Sequence, residues 1–137
     1  MPTDAQKLSS SVARLNRRLR QERHSELTPN QMAVLATLDK HGPLSPGAIA
    51  SIEHVQPPSA TRTVNCLVEK GLVERHPHAT DRRQVVVSLS ADGVAVLATE
   101  RARRDSWLAA RLSSLTTEER AVLRDATVLL EKLVVSE

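Results

Sequence analysis

A mainly α-helical fold carrying one small β-hairpin is what this chain predicts, and three observations carry that prediction. Apolar residues recur at helical spacing in several separate segments, as with Ala60, Val64 and Leu67 at i, i+4 and i+7, which stacks them on one side of a 3.6-residue helix. Thr28 with Gln31, and Thr116 with Glu119, stand three apart just ahead of apolar runs, the pattern of a capping box at a helix start. Residues 73–75 and Val85–Leu89 are β-branched runs separated by a loop, 76–84, that contains Pro77, Asp81, Arg82 and Arg83, which reads as a hairpin with a basic tip.

Composition fits the same class. With 137 residues the chain is one domain's worth, long enough for a core but with little to spare. Phe and Tyr are absent and Trp107 is the only aromatic residue, so the core must be built from Leu, Val, Ile and Ala, which suit packed helices. The net charge of +3, from 19 Lys plus Arg against 16 Asp plus Glu, permits an anionic partner without proving one. There is no secretory apolar region and no run approaching a membrane span, and the lone Cys66 excludes an intramolecular disulfide. A soluble cytoplasmic protein with no membrane partner is expected.

In chain order, residues 4 to about 24 form a helix whose Leu8, Val12, Leu15 and Leu19 make a narrow stripe that needs a partner. Its other faces carry Lys7, Arg14, Arg17, Arg18, Arg20 and Arg23, read as a solvated basic surface. Thr28 caps a second helix with Pro29 at its first position, Gly42 and Pro43 at its end, and Met32, Leu35, Ala36 and Leu38 buried. Residues 44–54 are a short third helix with Ser45 as N-cap, Pro46 at the first helical position and Ile49, Ala50 and Ile52 on its apolar side. A turn through Val55, Gln56 and Pro57 leads into a fourth helix, 57–72, closed by Gly71.

That fourth helix buries Ala60, Val64 and Leu67 and turns Pro58, Arg62, Asn65 and Glu69 outward, with Ser59 and Thr61 at the margins. Two short helices joined tightly, the second with an exposed polar face and followed by a basic hairpin, describe a winged helix-turn-helix. Ser, Thr, Asn and Arg on such a face are the side chains that bond base edges and phosphates from a DNA major groove. After the hairpin, Ser90 caps a helix over 91–112 with Val94, Leu97, Ala98, Leu108 and Leu112 on its apolar side and Glu100, Arg101, Arg103, Arg104 and Asp105 as a polar middle. A last helix carries Val122, Leu123, Ala126, Leu129, Leu130 and Leu133. The terminal helices hold more apolar surface than one small core needs, which suggests a partner chain.

No catalytic constellation emerges. The five His residues are scattered and there is no glycine-rich phosphate loop, so neither an enzyme nor a cofactor is expected. His76 and His78 stand two apart and could ligate a metal, but a solvated loop is the reading preferred, and no metal site is assigned. Cys66 is taken as a small structural residue rather than a redox switch.

The run Thr61-Arg62-Thr63-Val64 through Leu67, then Gly71-Leu72-Val73-Glu74-Arg75, Asp81-Arg82-Arg83 and Val87-Ser88-Leu89-Ser90 with Gly93, resembles the multiple antibiotic resistance regulator (MarR) family of bacterial winged helix-turn-helix repressors. The likeness extends to Leu27-Thr28-Pro29 with Gln31 and Leu35 before the motif, and to Leu115-Thr116-Thr117-Glu118-Glu119 after it. The resemblance implies one domain over 1–137, with a DNA-binding lobe at 27–89 and dimerisation helices at 1–26 and 90–137. It implies a homodimer whose two recognition helices enter successive major grooves of a palindromic operator about 34 Å apart.

The expected DNA contacts are Ser45 and Gln56 at the starts of the two helices, Pro58, Ser59, Thr61, Arg62 and Asn65 on the recognition helix, and Arg82 and Arg83 in the wing. Asp81 would pair with an Arg of its own loop and hold the tip, leaving either Arg82 or Arg83 to enter the minor groove. Family likeness further implies release by a small aromatic or lipophilic anion lodged where the dimer helices meet the DNA lobe, with Ser11 and Arg18 bordering that place. The rival readings are a constitutive or nucleoid-associated DNA binder with no effector, a metal- or redox-responsive regulator, and a protein-interaction module.

Overall fold

The computed structural model describes residues 1–22 and 26–135. Six helices and one hairpin follow in the order α1 (Asp4–Gln21), α2 (Pro29–His41), α3 (Pro46–Glu53), α4 (Pro57–Glu69), β1 (Val73–Pro77), β2 (Val85–Leu89), α5 (Ala91–Ser113) and α6 (Thr117–Val135). The expected continuation of α1 to residue 24, with Arg23, lies outside the described residues.

The helices start where short polar side chains satisfy the orphan backbone donors. Thr28 Oγ1 accepts from the Gln31 N–H at 3.2 Å while Gln31 Oε1 accepts from the Thr28 N–H at 3.0 Å. The same reciprocal box joins Thr116 and Glu119, at 2.9 and 3.1 Å, and also Thr3 and Gln6, which the pattern reading had not singled out. Ser45 and Ser90 cap α3 and α5 by accepting from the N–H groups of Ala48 and Gly93.

The core is aliphatic. Met32, Val34, Leu35 and Leu38 of α2 lie in it with Ile49 and Ala50 of α3, Ala60, Val64 and Leu67 of α4, Leu72, Val73 and Val87 at the base of the hairpin, and Leu97 of α5. Gly93 lets α5 begin hard against the hairpin, because a Cβ there would sit 2.0 Å from the Leu72 carbonyl oxygen. The Ser90 hydroxyl also donates to the Gly71 carbonyl at 2.6 Å. The start of α5 is thereby fixed to the end of the helix-turn-helix.

Several expectations are corrected. Helix α4 stops at Glu69 with Lys70 as its C-cap, and Gly71 takes φ +74°, a left-handed conformation suited to glycine that turns Leu72 out of the helix and under β1. Strand β1 runs on to Pro77, since His76 pairs with Val86 and Pro77 with Val85, so the loop is shorter than 76–84. Leu44 is not helical but bridges β2, with its N–H 3.0 Å from the Val87 carbonyl and its own carbonyl accepting from the Val87 N–H at 2.7 Å. Glu100, expected in a polar middle, is buried at 6 % exposure, because its side of α5 faces α1 and α2. Ile52, expected on the apolar side of α3, is exposed.

Helices α1 and α6 bury none of their described residues. Leu8, Val12 and Leu15 remain nearly half exposed, and Val122, Leu129 and Leu133 more so. Helix α6 is tied to the end of α5 by Arg120, whose Nη1 donates to the carbonyls of Leu115 and Leu112 at 2.8 and 3.3 Å. Among the described residues no helix is long and apolar enough to cross a membrane.

Candidate nucleic-acid interface

Helices α3 and α4 meet through a turn in which His54 adopts the left-handed region at φ 56°. The Val55 N–H bonds to the Ala50 carbonyl at 3.0 Å, which reverses the chain within three residues. Gln56 then occupies the N-cap of α4 without making a side-chain capping bond, so its amide is not consumed there. Pro57 and Pro58 open the helix with no N–H to leave unsatisfied.

With Ala60, Val64 and Leu67 locked in the core, α4 presents Pro58, Thr61, Arg62, Asn65 and Cys66 as exposed residues, while Ser59 is half-buried at the margin. Thr63 is drawn inward and donates its hydroxyl to the Ser59 carbonyl at 3.1 Å. Ser45 is half-buried and engaged in capping α3. Near the C-terminal half of α4, Asn65 Oδ1 accepts from Arg75 Nη2 of β1, which makes the exposed surface of the helix continuous with the wing. Arg75, part of the run that carries the family likeness, was not among the expected DNA contacts; its place on β1 alongside Val73, two residues away, was the signal available.

The wing tip is a network of short bonds. His78 Nδ1 accepts from the N–H groups of Thr80 and Asp81 at 3.2 and 3.1 Å, and the Gln84 N–H donates to the Asp81 carbonyl at 3.0 Å. Asp81 Oδ1 accepts from the Arg83 N–H at 3.0 Å and from Arg83 Nε at 3.4 Å. Arg82 and Arg83 are both exposed. His76 is turned to Ser88, Nε2 to Oγ at 2.8 Å, so the two wing histidines serve separate hydrogen bonds. Among the described residues no group of three or more His, Cys, Asp or Glu is placed to hold a metal.

One carboxyl stands out beneath the helix-turn-helix. Glu53, at the end of α3, borders a small cavity with Asn30, Val34, Val55 and Ser59. Its Oε2 is buried without a hydrogen-bond partner, and desolvation raises its pKa above the ordinary 4.5.

A larger cavity of about 290 Å³ opens between α1, α2 and α5, lined by Leu19, Arg20, Met32, Leu97, Glu100, Arg101 and Arg104 among others. Arg101 of its lining pairs with Asp39 of α2 at 2.8 Å. Ser11 and Arg18 are not part of its lining. Ser11 is exposed on α1, and Arg18 pairs with Glu22 at 2.7 Å while stacking 4.7 Å from the centre of the Trp107 ring. Arg111 approaches the same ring at 5.3 Å. The basic groups that line the cavity are Arg20, Arg101 and Arg104.

Residues 27–85, which span α2, the helix-turn-helix, β1 and the wing loop, match the MarR family. An HTH-type transcriptional regulator of Mycobacterium tuberculosis is 43 % identical over 131 residues, covering 95 % of this chain and 92 % of that protein. The chain belongs to the MarR family. It is a transcriptional regulator and not an enzyme. The transcriptional repressor MdtR of Bacillus subtilis is 38 % identical over 93 residues, 68 % of this chain and 60 % of that protein. In three dimensions, wild-type MarR of E. coli in its apo form superposes with a TM-score of 0.80 at 25 % identity, covering 97 % of this chain and 98 % of the other.

Proposed function

We propose that this MarR-family chain is a repressor that binds a palindromic operator as a homodimer and is released by a small, mostly apolar anion. The observation that carries the DNA-reading part is the continuous exposed surface from Gln56 through Arg62 and Asn65 to Arg75 and the wing tip. Polar side chains on a helix that projects from a packed core read base edges, while guanidinium groups on an adjoining hairpin track the backbone or a narrow minor groove. Ser59, Thr61, Arg62 and Asn65 are assigned to the bases, and Ser45, Gln56 and Pro58 to the phosphates at the helix starts, where the positive end of the helix dipole favours anions. Asp81 holds the tip. Residues 27–89 form the reading lobe.

Dimerisation is assigned to 1–26 and 90–137 because α1 and α6 leave their apolar stripes exposed on the single chain, more contiguous apolar surface than a monomer ordinarily shows. Twofold symmetry of the protein then demands a twofold operator. Repression is supported by likeness to MdtR. The cavity between α1, α2 and α5 joins apolar Leu19, Met32 and Leu97 to the guanidinium groups of Arg20, Arg101 and Arg104, against the carboxyl of Glu100, a net basic lining suited to an aromatic or lipophilic acid, and its size lies near the lower end of small-molecule sites. The regulator acts in the cytoplasm, on DNA. Selection of bound fragments from genomic DNA, with and without candidate acids, tests the whole reading: a shared inverted repeat lost on adding an acid supports it, and recovery of fragments without a common sequence refutes it.

A further inference from the structure

We infer that Arg75 sets the base preference of α4 by fixing which end of the Asn65 amide faces outward, so that this position offers hydrogen-bond donors to the major groove and no acceptor. The inference rests on the DNA-reading function proposed above and adds to it a residue that touches no base. Asn65 lies on the exposed surface of α4, within one turn of Arg62. Its Oδ1 accepts from Arg75 Nη2. Arg75 has no choice of role in that bond, since a guanidinium only donates. The Asn65 amide is therefore held with its oxygen toward the wing strand, and its planar geometry carries Nδ2 to the opposite side, away from that strand.

A free asparagine reads adenine with both ends of its amide, accepting from N6 and donating to N7. Held by Arg75, Asn65 has its carbonyl turned back and presents two N–H donors. Its natural partners are acceptors in the major groove: O6 and N7 of guanine, or O4 of thymine. Cytosine, which offers a donor at N4, is disfavoured. Neither residue's sequence context states this, because the bond spans ten residues and joins a helix to a strand. Arg75 is a positioning residue in this scheme, and the anchoring strand is itself rigid through the pairing of Arg75 with Val87.

The test uses the full chain and random duplex libraries, comparing the unmodified protein with Arg75→Ala, Asn65→Ala, the double variant Asn65→Ala/Arg75→Ala, and Arg62→Ala. All three positions are exposed, so circular dichroism and thermal melts should match those of the unmodified chain. With Arg75→Ala the freed amide can rotate, and adenine should gain at one base pair in each half-site by about fivefold or more, the low end of a good base contact. Without Asn65 the Arg75→Ala change should leave the preference profile unaltered. A uniform loss for all sequences with a shallower salt slope, in either background, is the signature of a phosphate contact and would overturn the inference. If Arg62→Ala reshapes the profile while Arg75→Ala does not, DNA reading by α4 stands and only the role of Arg75 falls. Failure of the unmodified chain to select any sequence would remove both.

Discussion

Asp81 and Arg83 close the wing on itself: one carboxylate oxygen accepts both the backbone N–H of Arg83 at 3.0 Å and its Nε at 3.4 Å. The side-chain pair is too exposed to contribute much stability, with Arg83 at 92 %, but the backbone bond fixes the turn. Arg82 carries no such tether to Asp81 and is the freer guanidinium for DNA. Arg82→Ala should therefore weaken binding to every sequence and lower the salt exponent by about one. Arg83→Ala should cost less, and Asp81→Ala should loosen the tip and resemble Arg82→Ala. Salt titrations of affinity for the three variants decide it; a larger loss for Arg83→Ala than for Arg82→Ala would reverse the assignment.

Base reading by α4 makes a different prediction. Arg62 is exposed, and Ser59 is half-buried at the margin of the same surface. Replacing Arg62 by Ala should change which base is preferred at its position by about 1 to 3 kcal/mol, and Ser59→Ala should do so more weakly. Competition binding against single-base-pair operator variants measures it. If helix and wing substitutions produce the same uniform loss, the division of labour between them is wrong.

The features legible in the sequence were the local ones. Capping by Thr28, Ser45, Ser90 and Thr116 follows from residues three apart, and the core side of α4 follows from the spacing of Ala60, Val64 and Leu67. What escaped depends on contacts between distant segments. Leu44 leaves the helix because β2 offers Val87 as a partner. Glu100 is buried because α1 and α2 cover one side of α5. Arg18 stacks on Trp107 of α5, and Asn65 is met by an arginine that strand pairing brings over the helix. Periodicity reports which side of an element is covered, not by what.

Glu53 gives a pH-dependent prediction. Burial raises its pKa in the folded chain above the ordinary 4.5, so the folded state holds this proton more tightly than the unfolded one. By linkage, its contribution to stability is most favourable below the unfolded value and declines as pH rises through the folded value. Glu53→Gln removes the penalised charge at nearly constant shape. The variant should be more stable than the unmodified chain at neutral pH, with the gain fading on acidification toward 4.5. Urea midpoints at several pH values read this directly; a gain independent of pH would assign the effect to something other than ionisation.

Cys66 offers a footprint of the same helix. It is the sole cysteine and is exposed on α4 one turn beyond Arg62. A bulky maleimide attached there should abolish operator binding by occupying the groove, whereas Cys66→Ser should bind normally. Prebound operator should slow the labelling. A labelled protein that bound DNA unimpaired would place α4 outside the groove.

Release by a ligand is the prediction with the widest consequence, and thermodynamics makes it testable from both sides. Helices α1 and α5 flank the cavity, and the proposed dimer uses the same two helices, so an anion seated between them changes the spacing of the recognition helices. It can release DNA only to the extent that it prefers the form that does not fit the operator. A coupling of about 1 to 3 kcal/mol corresponds to roughly 5- to 150-fold weaker operator binding, and operator DNA must weaken ligand binding by the same factor. Calorimetry of an aromatic acid with and without DNA should show that reciprocity. Trp107, held between Arg18 and Arg111 where α1 meets α5, should report the ligand by a change in fluorescence. Arg20→Ala with Arg104→Ala should weaken the acid while leaving operator affinity in its absence unchanged. Equal ligand affinity in the two titrations excludes that compound as an inducer, and the same result across a broad panel would make the chain a constitutive DNA binder.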